Sequence, residues 1–181
     1  SRTEEFTSGT FRAVIGDSSV QPGNVKKVLI CSGKVYYDLL AEKQKRGADD
    51  VAIVRMERLY PLPVVTLSAA LEGISRDAEV RFVQEEPANQ GAWPFMAMHL
   101  SEVLNRHVQR VSRPASSSPA VGSHHRHEVE QAARHLLLHD QVRLLDDDLF
   151  ANIVERHEVG GHPQHPLLHL AVQDRVALLL P

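Results

Sequence analysis

The chain has 181 residues, 43% of them hydrophobic and 24% charged, which gives room for one good-sized domain plus extras or two small ones. A formal net charge of −3 argues against a nucleic-acid binder, which carries a basic face, and no apolar run approaches the ~20 residues of a membrane helix. Cys31 is the single cysteine, so an internal disulfide is excluded and a reducing, cytoplasmic setting is expected.

The chain opens at Ser1 with neither a Met nor a signal-peptide pattern, and is expected to be a fragment or a processed piece. Ser1 to Asn24 is polar and turn-rich. Its one apolar patch, Phe11 to Ile15, reads as a strand or as a linker pressed on a neighbour. Lys26–Cys31 is a β-branched run closed by Ser32-Gly33. Lys34–Arg46 places Val35, Leu39 and Leu40 at helical spacing and ends in Lys and Arg before Gly47, as a helix C-terminus prefers. Val51–Val54 is a second apolar run. After Pro61-Leu62-Pro63 the spacing of Leu67, Leu71 and Ile74 predicts a helix over Val64–Ile74. Val80–Val83 is a third strand, Ala92–Leu104 a helix starting near Pro94, and Val108–Val111 a fourth strand.

Strands alternating with helices at this spacing predict a doubly wound α/β domain with a mostly parallel sheet, from about Val25 to about Val111. The near-continuous apolar strands fit a sheet covered on both faces. A Ser/Pro-rich linker, Arg113 to Gly122, follows. Beyond it the pattern dissolves into an irregular or helical tail in which nine of the eleven histidines lie from His124 onward.

Three segments invite a functional reading. Gln84-Glu85-Glu86-Pro87-Ala88-Asn89-Gln90-Gly91-Ala92-Trp93 follows an apolar strand and packs two carboxylates, three amides, a glycine and the only Trp into ten residues. Strand ends feeding loops are where open α/β sheets gather their ligand contacts. The plainer alternative is a strand stop with a core Trp. Cys31-Ser32-Gly33-Lys34 joins a strand to a helix N-terminus, a place that favours anions. Walker glycine spacing is missing there, and the alternative is that Ser32 caps the helix while Lys34 is a surface charge. Cys31 is expected to be a buried packing residue, and Tyr36-Tyr37 to divide between core and surface. His124-His125-Arg126-His127 lacks the acidic or thiol half of a metal site, and His157…His162 lacks the zinc-helix spacing. A His-rich metal-handling protein rests on that tail alone. No complete active site is readable.

Taken together, Val25–Leu40 (VKKVLICSGKVYYDLL), Ala52–Pro63 (AIVRMERLYPLP) and Phe82–Trp93 (FVQEEPANQGAW) resemble the C-terminal end of the thiamine-dependent 2-oxoglutarate dehydrogenase first component, especially its actinobacterial multifunctional form. Phe11–Asp17 and Arg110–Gly122 match in order and spacing, so the resemblance runs from about Phe11 to Gln131. It implies a transketolase C-terminal-like domain over 25–131, with 1–24 as lead-in and 132–181 as an atypical tail. That tail is a lineage-specific extension or a shifted reading frame; its mismatch of pattern and punctuation favours the second.

The whole enzyme of that family decarboxylates 2-oxoglutarate on thiamine diphosphate with magnesium, in the tricarboxylic acid cycle. It then passes a succinyl group to the dihydrolipoyl succinyltransferase component. The resemblance implies that its C-terminal domain supports a homodimer and, in some members, holds an acetyl-CoA or AMP effector. The catalytic cofactor site is expected to lie outside this chain, so the fragment alone is expected to be inactive. Carried over by position, Ser32, Lys34, Gln90 and Arg113 are the effector-pocket candidates. Glu85 and Glu86 are expected to orient the basic residues or to contact another domain. The alternative is a stand-alone nucleotide- or acyl-CoA-binding module of the same fold.

Overall fold

The computed structural model of the chain describes Thr7 and residues 9–118. The readings made for the His-rich stretch and for the tail from Ala132 lie outside those residues.

Strands dominate the centre because their residues are apolar on both faces. β2 (Lys27–Cys31) and β3 (Val51–Met56) are buried along their whole length. β4 (Glu79–Pro87) and β5 (Val108–Arg113) flank them, and β1 (Val14–Ile15) closes the other side. The order is β1-β3-β2-β4-β5. β2 pairs with β3 and β4 in parallel, as does β4 with β5, while β1 runs antiparallel to β3.

Alternate residues of the strands feed two separate cores, as the pleat dictates. On one face Val28, Ile30, Val54, Met56 and Phe82 pack with Leu67 and Leu71, and with Met96 and Leu100. Leu67 belongs to α2 (Val64–Ala70), Met96 and Leu100 to α3 (Trp93–Leu104). On the other face Leu29, Cys31, Ile53, Val83 and Val111 meet Val35 and Leu39 of α1 (Val35–Arg46). Helices on both faces of a largely parallel sheet make this the doubly wound α/β fold expected from the sequence.

Helix ends follow their residues. α1 stops at Gly47, whose left-handed backbone (φ 60°) lets its N–H donate to Gln44 O while Ala48 N–H reaches Lys43 O. α3 stops in the same way at Asn105, φ 48°. α2 is shorter than the predicted Val64–Ile74. Leu71 leaves helical geometry and its N–H turns to Ser68 O, so Leu71 enters the core from a turn.

Two other boundaries move. β4 does not end at Val83 but runs to Pro87, through a register irregularity between Val83 and Pro87. A proline with no N–H to donate is tolerated at such a bulge. Likewise Arg113, read as the first residue of a linker, is the last residue of β5 and lies opposite Pro87.

Connectivity sets the site. From β2 the chain crosses by α1 to β3 on one side. From β3 it crosses by α2 back past β2 to β4 on the other. The carboxyl ends of β2 and β4 therefore form the topological switch point, where open sheets leave a crevice.

Candidate functional site

At the end of β2 the chain passes from buried Cys31 through half-buried Ser32 and exposed Gly33 into α1. Lys34, not Ser32, occupies the N-cap, and no side chain bonds to the helix start. The first turn tightens instead, with Tyr36 N–H on Gly33 O at 3.4 Å and Tyr37 N–H on Lys34 O at 3.0 Å. Ser32 as helix cap is thus overturned, and the exposed Lys34 ammonium stands beside an uncapped helix N-terminus.

The end of β4 is organised by one amide. Gln84 is only 6% exposed. Its Nε2 donates to Gln90 O at 2.9 Å, Pro87 O at 3.0 Å and, more weakly, Glu86 O at 3.3 Å. Its Oε1 accepts the Trp93 N–H at 2.8 Å, capping the first turn of α3. The turn closes only with glycine at 91. Its φ is +66°, and a Cβ there would lie 2.9 Å from Glu86 Cβ and 3.0 Å from Gln84 Oε1. Trp93 then packs on Phe82 with ring centroids 6.1 Å apart.

β5 is clasped to this loop. Arg113 Nε donates to Glu85 O at 2.9 Å, and Ala88 N–H to Arg113 O at 2.9 Å. Asn89 and Ser116 exchange two hydrogen bonds, Nδ2 to Ser116 O at 2.9 Å and Ser116 N–H to Oδ1 at 3.0 Å. Gln90 Nε2 also donates to Ser116 O, at 2.9 Å. The structure therefore brings Gln90 and Arg113 onto one rim, with β4 between them and the Ser32–Lys34 turn. Two strand spacings separate the ends of β2 and β5, roughly 10 Å. A ligand reaching both must be of nucleotide size rather than a lone phosphate.

One residue of this edge escaped sequence reading. Arg55 is buried at the end of β3, in register with Cys31. Its Cζ lies 4.6 Å from the Tyr36 ring centre and 5.7 Å from that of Tyr37. Nη1 donates to Tyr37 Oη at 3.1 Å, and Nε sits 2.6 Å from Glu57 Oε1. The alternation Arg55-x-Glu57 after an apolar run was the only available signal. Burial pushes the Cys31 thiol up to about 12, against the opposing pull of Arg55. A thiol held protonated is an inert packing group, as expected.

At the opposite, amino edge an open hollow of about 630 Å³ is lined by Lys26, Asp49, Asp50 and Asp77 among others. Its acidic rim disfavours the anions that Lys34 and Arg113 would attract. Among the described residues no three His, Cys, Asp or Glu side chains are placed to hold a metal ion. No described helix is long and apolar enough to cross a membrane.

Fold and rim place the chain in the doubly wound α/β class whose contacts gather at a switch point. A model of the 2-oxoglutarate dehydrogenase C-terminal family matches residues 1–137. The chain is 48% identical over 135 residues to the 2-oxoglutarate dehydrogenase E1/E2 component of Corynebacterium glutamicum, covering 72% of this chain and 11% of that protein. It is 44% identical over 136 residues to the multifunctional 2-oxoglutarate metabolism enzyme of Mycolicibacterium vanbaalenii, covering 71% and 11%. With the 2-oxoglutarate dehydrogenase E1 component of Haemophilus influenzae the figures are 42% over 134 residues, 72% and 14%. The chain belongs to the 2-oxoglutarate dehydrogenase C-terminal family, and it spans only 11% to 14% of the length of these relatives.

Proposed function

We propose that this chain serves as the regulatory and dimer-supporting C-terminal domain of a thiamine diphosphate-dependent 2-oxoglutarate dehydrogenase first component. That enzyme would act in the cytoplasm, in the tricarboxylic acid cycle, and hand a succinyl group to a dihydrolipoyl succinyltransferase. The cofactor and magnesium would be held elsewhere in the enzyme. The share of this domain would be to bind an anionic effector of nucleotide size, acetyl-CoA or AMP.

The observation that carries this reading is the placement of Ser32, Lys34, Gln90 and Arg113 along one carboxyl edge at the switch point. Lys34 and the uncapped start of α1 would take a phosphate. Ser32 adds a hydroxyl. Gln90, with Nε2 anchored on Ser116 O, would present its carbonyl to a polar edge of the ligand. Arg113 would supply charge from the far rim. Glu85 enters through its backbone, since its carbonyl holds Arg113 Nε.

Thermal unfolding with and without acetyl-CoA or AMP tests this. A ligand at ~100 times its Kd adds ~2.7 kcal/mol to stability, a rise of several degrees. The rise is expected in the wild type and lost in Lys34→Ala and in Arg113→Ala. A rise that persists in both variants would place the ligand elsewhere.

A further inference from the structure

We infer that Gln84 is the positioning residue of this edge: without touching the ligand, it fixes the turn that presents Gln90 and the helix start at Trp93. The ligand half of the inference rests on the effector reading above; the loop half does not.

Gln84 lies within β4 and behind the loop, buried. Its amide supplies donors on one side and an acceptor on the other, and the geometry uses both. Three carbonyl oxygens, from Glu86, Pro87 and Gln90, converge on Nε2, while the Trp93 N–H comes to Oε1. These fix the amide orientation, because carbonyls only accept and an N–H only donates. Of the natural side chains of this length, a carboxylate has no donor and a methionine has neither function. The four groups bonded to the Gln84 amide are backbone atoms, none of which titrates; the Glu86 side chain, which crowds the same side of Gly91 as Gln84 Oε1, is a titratable neighbour.

What Gln84 holds is the loop that carries the candidate contacts. Gln90 O is tied to Gln84, and Gln90 Nε2 to Ser116 O. The residue is thereby gripped at its backbone by β4 and at its side chain by the segment after β5. Gly91 packs against the same amide. Removing the grip at Gln84 leaves Gln90 N–H on Pro87 O as a remaining bond between loop and β4, loosening the turn while the strand cores stay packed.

The test compares Gln84→Met and Gln84→Glu with the wild-type chain. One readout is the hydrogen-exchange protection of the Trp93 amide, the other the affinity for AMP and CoA. In Gln84→Met, Trp93 protection should be lost at every pH and affinity should fall by about tenfold or more, as small misplacements of contact groups do. In Gln84→Glu the carboxylate still accepts the Trp93 N–H but faces three carbonyls with no donor, so at about pH 7.5 affinity should be lost while Trp93 keeps at least part of its protection. Affinity should return in part toward about pH 5, as the carboxyl protonates and regains one donor. That reversal separates positioning by the amide from general loosening, which Gln84→Met controls.

Wild-type Trp93 protection in Gln84→Met overturns the inference, as does unchanged affinity in both variants where the wild type binds. If the wild type binds neither ligand, the effector reading falls by itself, and Trp93 protection still decides whether Gln84 positions the loop.

Discussion

Replacing Asp17 by Asn should cost about 3 kcal/mol of folding stability. Asp17 Oδ2 accepts Lys43 Nζ at 2.6 Å and the Ile53 N–H at 3.0 Å, while Oδ1 accepts the Ser19 N–H at 2.9 Å and Ser19 Oγ at 2.5 Å. Both charged side chains are nearly buried, Asp17 at 9% and Lys43 at 6% exposure. Removing one partner of a buried pair leaves the other uncompensated and costs ~3–5 kcal/mol. The lower end is expected because Lys43 keeps Ser19 Oγ at 3.0 Å and Asn keeps the shape.

The pH dependence carries a sign of its own. Burial pulls the Asp17 carboxyl upward, but the hydrogen bonds from Lys43, Ser19 and Ile53 outweigh it, and its pKa ends below the ordinary 3.8. The folded form therefore favours the carboxylate. Its contribution is fully present above the unfolded pKa and disappears as pH falls through the lowered folded value. Urea unfolding at neutral and acid pH measures both effects. Asp17→Asn should shift the midpoint at neutral pH, and part of the loss below about pH 4 seen in the wild type should be missing. A cost under about 1 kcal/mol, or an acid profile identical to the wild type, would refute the reasoning. Lys43→Met in the Asp17→Asn background should cost less than the sum of the single changes, since the stranded ammonium goes with it.

Gly91→Ala should destabilise by about 2–3 kcal/mol, from a left-handed backbone and a Cβ 2.9 Å from Glu86 Cβ; denaturant titration reads it, and a neutral result would mean that the 86–93 turn can rearrange. With its pKa pushed up to about 12, Cys31 should resist a thiol reagent at pH 8 until the chain is unfolded, and rapid labelling of the native protein would contradict its burial. Phe82→Ala removes a fully buried ring in contact with Trp93, and should cost about 3–5 kcal/mol with a change in Trp93 emission; an unchanged spectrum would put Trp93 outside that core.

The alternation of strands and helices was legible because parallel strands buried on both faces read as unbroken apolar runs, Lys27–Cys31 and Val51–Met56 being the clearest. Helix stops at Gly47 and Asn105 follow from local chemistry. What escaped was non-local. Pro87 looked like a strand stop, yet β4 continues because a bulge absorbs the missing donor. Val14–Ile15 is too short to show period-two patterning, and only its pairing with β3 makes it a strand. Of the candidate site, the two strand ends were visible as motifs. The roles of Gln84 and Ser116 were not, since an amide bonded to backbone two to nine residues away leaves no spacing rule, and Ser116 lies 26 residues beyond Gln90.

The pairing of β1 with β3 has a meaning for solubility. Val14 faces Met56 and Ile15 faces Arg55, so the antiparallel register, continued by two residues, sets Asp17 opposite Ile53. There the carboxylate of Asp17 accepts the Ile53 N–H, taking over the task of a neighbouring strand with a charged side chain. An edge strand as apolar as β3 offers unpaired donors to any passing strand. Two residues of backbone and one anion shut that template, the anion warding off a second sheet by its desolvation cost. A chain cut at Val25 would lose this guard together with the Asp17–Lys43 pair and the packing of Val14 and Val20, and edge-to-edge sticking would accompany its loss of stability.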